Sequence, residues 1–308
     1  MTQGGTIDAT AKPPAEAITE YARAKVNLTL RVVGRRVDGY HDLESVVAFA
    51  DCADHLTLIE GPQLQLKIAG PLADACGELV DNLVMKAARL LSERVTGLKV
   101  GAFTLDKMLP VAAGIGGGSA DAAAALRLLA KINGLAVGDR RVNEVAQLTG
   151  ADVLVCLASR ACVMTGIGES LAPLALPKLP CVLVNPRVAV ATKDVFAALG
   201  LRSGELRVGV TDVIQAIIWP KEGSSAGDWI EAFASGTNDL EAPAIKNQPV
   251  IAEVLAALSR ADGSRLARMS GSGATCFAIF DDGVVAEAAA KKIQLAHPGW
   301  WVHAGTLS

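Results

Sequence analysis

The chain has 308 residues, enough for one large domain or two ordinary ones; 51% are apolar and only 4% aromatic, so its core is aliphatic. Lys and Arg number 29 against 32 Asp and Glu, a formal charge of −3 that leaves no basic track for nucleic acid. No uncharged apolar run is long enough to span a membrane, the first residues lack a charged-then-apolar leader, and six cysteines and four histidines are scattered without ligand spacing. The expectation is a cytoplasmic protein with free thiols and no protein-built metal site.

In chain order, residues 1–17 show no periodicity and read as a disordered extension. Strand-like patterns follow at Thr29–Val33, Ser45–Ala50, His55–Ile59 and Leu64–Ile68. Helical spacing of Leu83, Ala87, Leu90 and Leu91 predicts a helix over Asn82–Val95 with Asp81 as its cap. Val100–Leu105 reads as a strand, Val142–Leu148 as a short helix, and Gly150-Ala151-Asp152 as a turn into an apolar run broken at Arg160. Beyond it lie a strand at Cys181–Asn185, helices at Lys193–Leu199, Asn238–Lys246, Val250–Arg260 and Ala286–Leu295, a glycine turn after Arg268 that enters a strand, and a last strand at Trp300–His303. Strands come in groups with helices between them, which favours an α+β fold over strict βα alternation. Proline and glycine between Gly166 and Pro180 suggest a boundary, dividing the chain into 18–170 and 171–308.

The segment from Leu109 to Leu126 carries the strongest chemical signal. Gly114, Gly116, Gly117 and Gly118 precede Ser119 and a run of helix formers, just after a strand. Glycines let backbone N–H groups approach a ligand, and the helix start behind them adds unpaired N–H groups and partial positive charge, a combination that binds phosphate. A P-loop would need a lysine closing the loop, and the dinucleotide fingerprint a glycine at Ser119. Neither is present, and a tight structural turn is the plain alternative.

Separated segments then stand in one order: Tyr21-Ala-Arg-Ala-Lys-Val-Asn-Leu, Arg35-Arg-Val-Asp-Gly-Tyr-His-Asp-Leu, Asp81-Asn-Leu-Val with Ala87-Ala-Arg-Leu-Leu, the glycine loop, Gly150-Ala-Asp-Val and Met269-Ser-Gly-Ser-Gly-Ala. From about residue 20 onward the chain resembles the GHMP small-molecule kinases. The resemblance implies a two-domain α+β GHMP-kinase fold, with an N-terminal ATP-binding domain, a C-terminal substrate-binding domain and the active site in the cleft between them. It also implies ATP, Mg2+ and γ-phosphoryl transfer to the 2-hydroxyl of a methylerythritol linked to cytidine diphosphate. A small molecule is thus the expected partner, without nucleic acid or membrane, and a monomer or weak homodimer the expected assembly. Another GHMP kinase, acting on homoserine or a mevalonate-like alcohol, and a catalytically inactive nucleotide-binding protein are the alternatives.

By the same resemblance Asp152 is the base that takes the hydroxyl proton, and Lys25 its cationic partner. On the residues alone, Asp152 is a turn carboxylate and Lys25 an edge-strand lysine that must snorkel or find an anion. Asn27 shares the strand face of Lys25 and is placed to bond the substrate. Pro110, Gly114, Gly116, Gly117, Gly118 and Ser119 are expected to hold the ATP phosphates, Ser119 contributing to phosphate or metal or acting simply as a helix cap. Asn82 and Lys107 are expected at the adenine, or else as cap and surface residues. Tyr40 and His41 offer stacking and hydrogen bonds to a pyrimidine, with Phe196 as the opposite wall. Thr192 and the Gly271-Ser272-Gly273 turn are expected on the substrate side. Two departures from the family pattern are Ala120, where a second serine is frequent, and Leu154-Val155, where Pro-Phe is common.

Overall fold

The computed structural model describes residues 16–77, 81–136, 138–207 and 219–308. Residues 1–15 of the expected extension lie outside them, while Ala17 already belongs to the first strand, β1 (Ala17–Asn27). Eleven strands form one sheet: β1, β2 (Arg31–Arg35), β3 (His41–Gly61), β4 (Gln65–Ala69), β5 (Val100–Asp106), β6 (Cys162–Gly166), β7 (Ser170–Pro173), β8 (Leu179–Asn185), β9 (Ser264–Met269), β10 (Cys276–Phe280) and β11 (Trp301–Leu307). Their order is β4-β5-β3-β11-β8-β10-β9, with β1, β2 and β6 also paired to β3. Among the described strand pairs only β4–β5 is parallel.

Strand β3 spans what the sequence pattern divides into two strands. Its middle, Asp51 to Asp54, falls between those two patterns, but β1 pairs with it at Val47–Phe49 and Ala53–Ile59, and β5, β6 and β11 each take a share. β1 follows the strand through this middle with a register shift opposite it, a long-range pairing that a local pattern does not register. The Gly166–Pro180 stretch likewise contains β7, an unexpected strand that forms a hairpin with β6.

The helices are α1 (Leu83–Arg94), α2 (Gly117–Ile132), α3 (Arg140–Thr149), α4 (Val153–Ala158), α5 (Thr192–Ala197), α6 (Ala226–Ala234), α7 (Glu241–Asn247), α8 (Val250–Ser259) and α9 (Gly283–Ala296). The cap of α1 is Asn82, whose side chain accepts from Val84 N at 2.9 Å, and not Asp81. The apolar run after Asp152 is the helix α4, with Asp152 at its N-cap position.

Helix α2 is the central element of the N-terminal half. Ala120 and Ala122–Ala125 are buried together with Leu126, Leu128 and Leu129, so the helix is enclosed nearly all round. Its small side chains let α1, α4 and the β1–β3 face pack around it. A second core gathers Val182, Val184 and Phe280 under α8 and α9. A third, with Leu28, Trp229, Phe233 and Phe277, lies between these regions. The β3–β11 pairing joins the two halves of the sheet at Ala50 and Leu307. None of the described helices is long and apolar enough to cross a membrane.

Candidate active site

The loop from Lys107 to Gly116 leaves β5 and delivers the chain to α2. Gly116 is the N-cap of that helix at φ 64°, a left-handed conformation that favours glycine. A Cβ there would stand 3.3 Å from Lys25 Cβ. Ser119 is the third residue of α2, so the cap reading of Ser119 does not hold. The N–H groups of this first helical turn have no partners within the helix, and no side chain caps them at Gly116.

A second glycine turn presses against the first. A Cβ on Gly114 (φ 74°) would come within 2.5 Å of Ser270 O, and one on Gly271 within 2.7 Å of Gly114 O. Ser270 Oγ donates to Gly114 O at 3.0 Å, and Thr275 N donates to Ala113 O at 3.0 Å. Asn238 Nδ2 holds the second turn from behind, donating to Met269 O at 2.7 Å and Gly271 O at 2.8 Å. Backbone from two turns 156 residues apart therefore meets at van der Waals distance, which only residues without Cβ allow.

Lys25 and Asp152 stand at the edge of this junction. Lys25 sits on β1 after a bulge, its backbone N–H bonded to Ile115 O at 2.9 Å and its side chain buried. It is therefore not a surface lysine on a free edge. Its Nζ meets Asp152 Oδ2 at 3.0 Å, and the Asp152 side chain is 35% exposed. The cation is shielded and the carboxylate is open. Asn27, two residues along β1, is buried, donates from Nδ2 to Ser45 Oγ at 2.7 Å, and leaves Oδ1 without a partner. A Cβ on Gly271 would stand 3.3 Å from that oxygen, so Asn27 faces the second glycine turn.

Lys107 is neither a surface residue nor open to a ligand. It is buried between Asp54 (Nζ to Oδ2 2.5 Å) and Asp121 (Nζ to Oδ2 2.8 Å), both buried as well. Burial pushes the Asp121 carboxyl up, to about 7, against the pull of Lys107. Burial also opposes the charge on Lys107, but Asp121 and Asp54 outweigh it and hold Lys107 above its ordinary value. Pro110 is buried in the same loop, and Asn82 is the α1 cap described above.

On the other side of the junction, Phe196 lies directly on the His41 ring, with centroids 4.6 Å apart and planes 28° from parallel. Stacked rings have centroids roughly 4.5–7 Å apart, so no base fits between these two as they stand. The expected slot with Phe196 opposite His41 is thus a closed pair, with Tyr40 exposed beside it. Burial, and secondarily Arg35, lowers the His41 pKa from its ordinary value and so favours the neutral ring. Thr192 and Ser272 share a 2.8 Å hydroxyl hydrogen bond, joining the start of α5 to the second glycine turn.

Sequence reasoning did not single out Asp54, Asp121 or Ser270, and left Asn238 without a role. Asp121 falls on the apolar side of an alanine run, and a charge at that place is a readable signal of a buried partner. Ser270 stands within the glycine-rich segment after Met269, whereas Asp54 carries no local signal.

Residues 82–160 match the model of the GHMP kinases N terminal domain and residues 222–298 that of the GHMP kinases C terminal domain. The chain is 70% identical over 291 residues to the 4-diphosphocytidyl-2-C-methyl-D-erythritol kinase of Nitrobacter hamburgensis, covering 94% of this chain and 96% of the relative. It is 69% identical to the same kinase of Rhodopseudomonas palustris, with 95% of each chain covered. Among solved structures, a 4-(cytidine 5'-diphospho)-2C-methyl-D-erythritol kinase superposes with a TM-score of 0.72 at 32% identity, over 94% of this chain and 99% of the other. A homoserine kinase from Cytophaga hutchinsonii, at 16% identity and TM-score 0.68 over 98% of each chain, shares the fold.

Proposed function

The chain belongs to the GHMP kinases, among the 4-diphosphocytidyl-2-C-methyl-D-erythritol kinases, and from this we infer that it transfers the γ-phosphoryl group of ATP to the 2-hydroxyl of that cytidyl-linked alcohol, a step of non-mevalonate isoprenoid precursor synthesis. The observation that carries the reading is the Lys25–Asp152 pair at 3.0 Å beside the glycine loop. Phosphoryl transfer asks the protein for positioning, charge neutralisation and a group that takes the hydroxyl proton.

Asp152 is the group assigned to that proton, because its carboxylate is accessible while its counter-charge is fixed. Lys25 keeps the carboxylate oriented and stabilises the oxygen nucleophile as the proton leaves. Asn27 Oδ1, a buried acceptor without a partner, is assigned to a substrate hydroxyl. The first turn of α2, with Gly116, Gly117, Gly118 and Ser119, receives the triphosphate. Residues 18–170 form the ATP-binding part of this reading and 171–308 the substrate-binding part, with the site in the cleft.

Mg2+ fits this arrangement as an ion carried on the nucleotide. Ser119, in the first turn of α2 beside the glycine loop, would be its protein contact, with phosphate oxygens and water the rest. When bound, the ion neutralises phosphate charge. The proposed setting is a cytoplasmic monomer or weak homodimer without nucleic-acid or membrane partners. Tyr40, exposed beside the closed His41–Phe196 stack, offers an open ring surface that suits a nucleobase-bearing substrate and has no counterpart in homoserine or mevalonate, which carry no ring. ADP release from ATP and Mg2+ is to be followed with each of the three alcohols. Turnover with the cytidyl-linked one alone is expected; turnover with homoserine or mevalonate instead, or with none, overturns the reading.

A further inference from the structure

The glycine loop must present backbone to a triphosphate, yet its own small residues hold little in place. Its two ends are fixed from below by Asp54, Lys107 and Asp121. At the start, Asp54 Oδ1 accepts from Met108 N at 2.6 Å and Leu109 N at 2.8 Å. Asp54 Oδ2 takes Lys107 Nζ, and the same Nζ reaches Asp121 in the second turn of α2. One ammonium therefore ties β3, the first residues of the loop and the helix that ends it. The three side chains are between 0% and 5% exposed, so water competes little for these bonds. The tie also lies directly under the cradle, since a Cβ on Gly117 would stand 3.3 Å from Lys107 Nζ.

We propose that Asp121, acting through Lys107 and Asp54, is a positioning residue that sets the aperture of the glycine loop and hence the affinity for the nucleotide's phosphates. The inference rests on the reading of this loop as the ATP cradle. A cluster selected for stability alone would be apolar, because two buried carboxylates on one ammonium cost desolvation that apolar packing avoids. Asp121 Oδ1 has no hydrogen-bond partner at all, an added cost. Directional bonds give something that apolar packing does not: a fixed distance between the two ends of the loop.

The test compares wild type with Asp121→Ala, Asp121→Asn and Lys107→Arg, by steady-state kinetics and by calorimetric titration of a non-hydrolysable ATP analogue, with melting temperatures alongside. Asp121→Ala is expected to raise KM for ATP and Kd for the analogue roughly tenfold, with kcat within about twofold. Asp121→Asn keeps an acceptor oxygen at the same reach and is expected to bring both constants back to within about twofold of wild type. Lys107→Arg keeps the charge but forces a larger head against Gly117, so it also raises both constants and carries the test should the alanine variant fail to fold. A lower melting temperature with unchanged analogue affinity in Asp121→Ala overturns the proposal, as does an equal loss in Asp121→Asn. Wild type that does not bind the analogue removes the cradle reading itself, whereas wild type that binds it beside an unaffected Asp121→Ala removes only this inference.

Discussion

Two lysine–aspartate groups stand against neighbouring glycines of one loop, and they differ in access. Lys25 touches Gly116 and pairs with Asp152, whose side chain is 35% exposed. Lys107 lies under Gly117 and pairs with Asp54 and Asp121, at 0% and 5% exposure. Each group contains a shielded ammonium, but only Asp152 can be reached by a hydroxyl from outside. Pairing alone therefore does not mark chemistry. In the proposed reading the open carboxylate on a closed cation beside the glycine loop serves the reaction, and the wholly closed group fixes the backbone.

The largest effect that separates the two concerns the open pair. Lys25→Met is expected to lower kcat by about 10²–10⁴ with little change in analogue affinity; steady-state kinetics that leave kcat near wild type would erase the distinction. The closed group answers to a different measurement. Lys107→Met strands two buried carboxylates and is expected to cost about 3–5 kcal/mol in denaturant unfolding. A loss under about 1 kcal/mol would mean that the cluster contributes no more than a surface ion pair.

A smaller effect lies across the cleft. Phe196→Ala removes the ring stacked on His41 and is expected to raise KM for the cytidyl-linked substrate about three- to tenfold, leaving KM for ATP unchanged. If both constants move together, the stack belongs to the fold and not to the substrate.

The smallest is a pH effect at His41. Its pKa is lowered from 6.5, first by burial and then by Arg35. Below 6.5 the unfolded chain therefore binds more protons than the folded one. The neutral ring's contribution is complete above that value and declines as pH falls from 6.5 toward the lowered folded pKa. KM for the cytidyl-linked substrate is expected to be flat above pH 6.5 and to rise only below it. An inflection on the alkaline side in a pH–KM profile would contradict the neutral assignment.

Much of this architecture was legible in the residues. The helix α2 follows from glycines leading into alanines and leucines, and the α1 helix from its apolar spacing, with its cap misplaced by a single residue. The full length of β3 was not legible, because the neighbours that hold its polar middle come from distant parts of the chain. At the site, Lys25 in an apolar strand had either to snorkel or to find an anion, and the resemblance supplied Asp152. The opposite environment of Lys107 was hidden for a physical reason: Asp54 is 53 residues away, and nothing local distinguishes a lysine that ends at two carboxylates from one that ends in water. Likewise, His41 and Phe196 could be paired by type, but whether a gap separates them is a property of packing.

The division of roles between the open and closed groups is tested most directly by the single-turnover rate of cytidyl-substrate phosphorylation at saturating ATP, with Asp152→Asn and Asp121→Asn side by side. The expected rates fall at least about a hundredfold for Asp152→Asn and stay within about threefold of wild type for Asp121→Asn. Equal losses in the two variants, or a near-normal rate for Asp152→Asn, would contradict it.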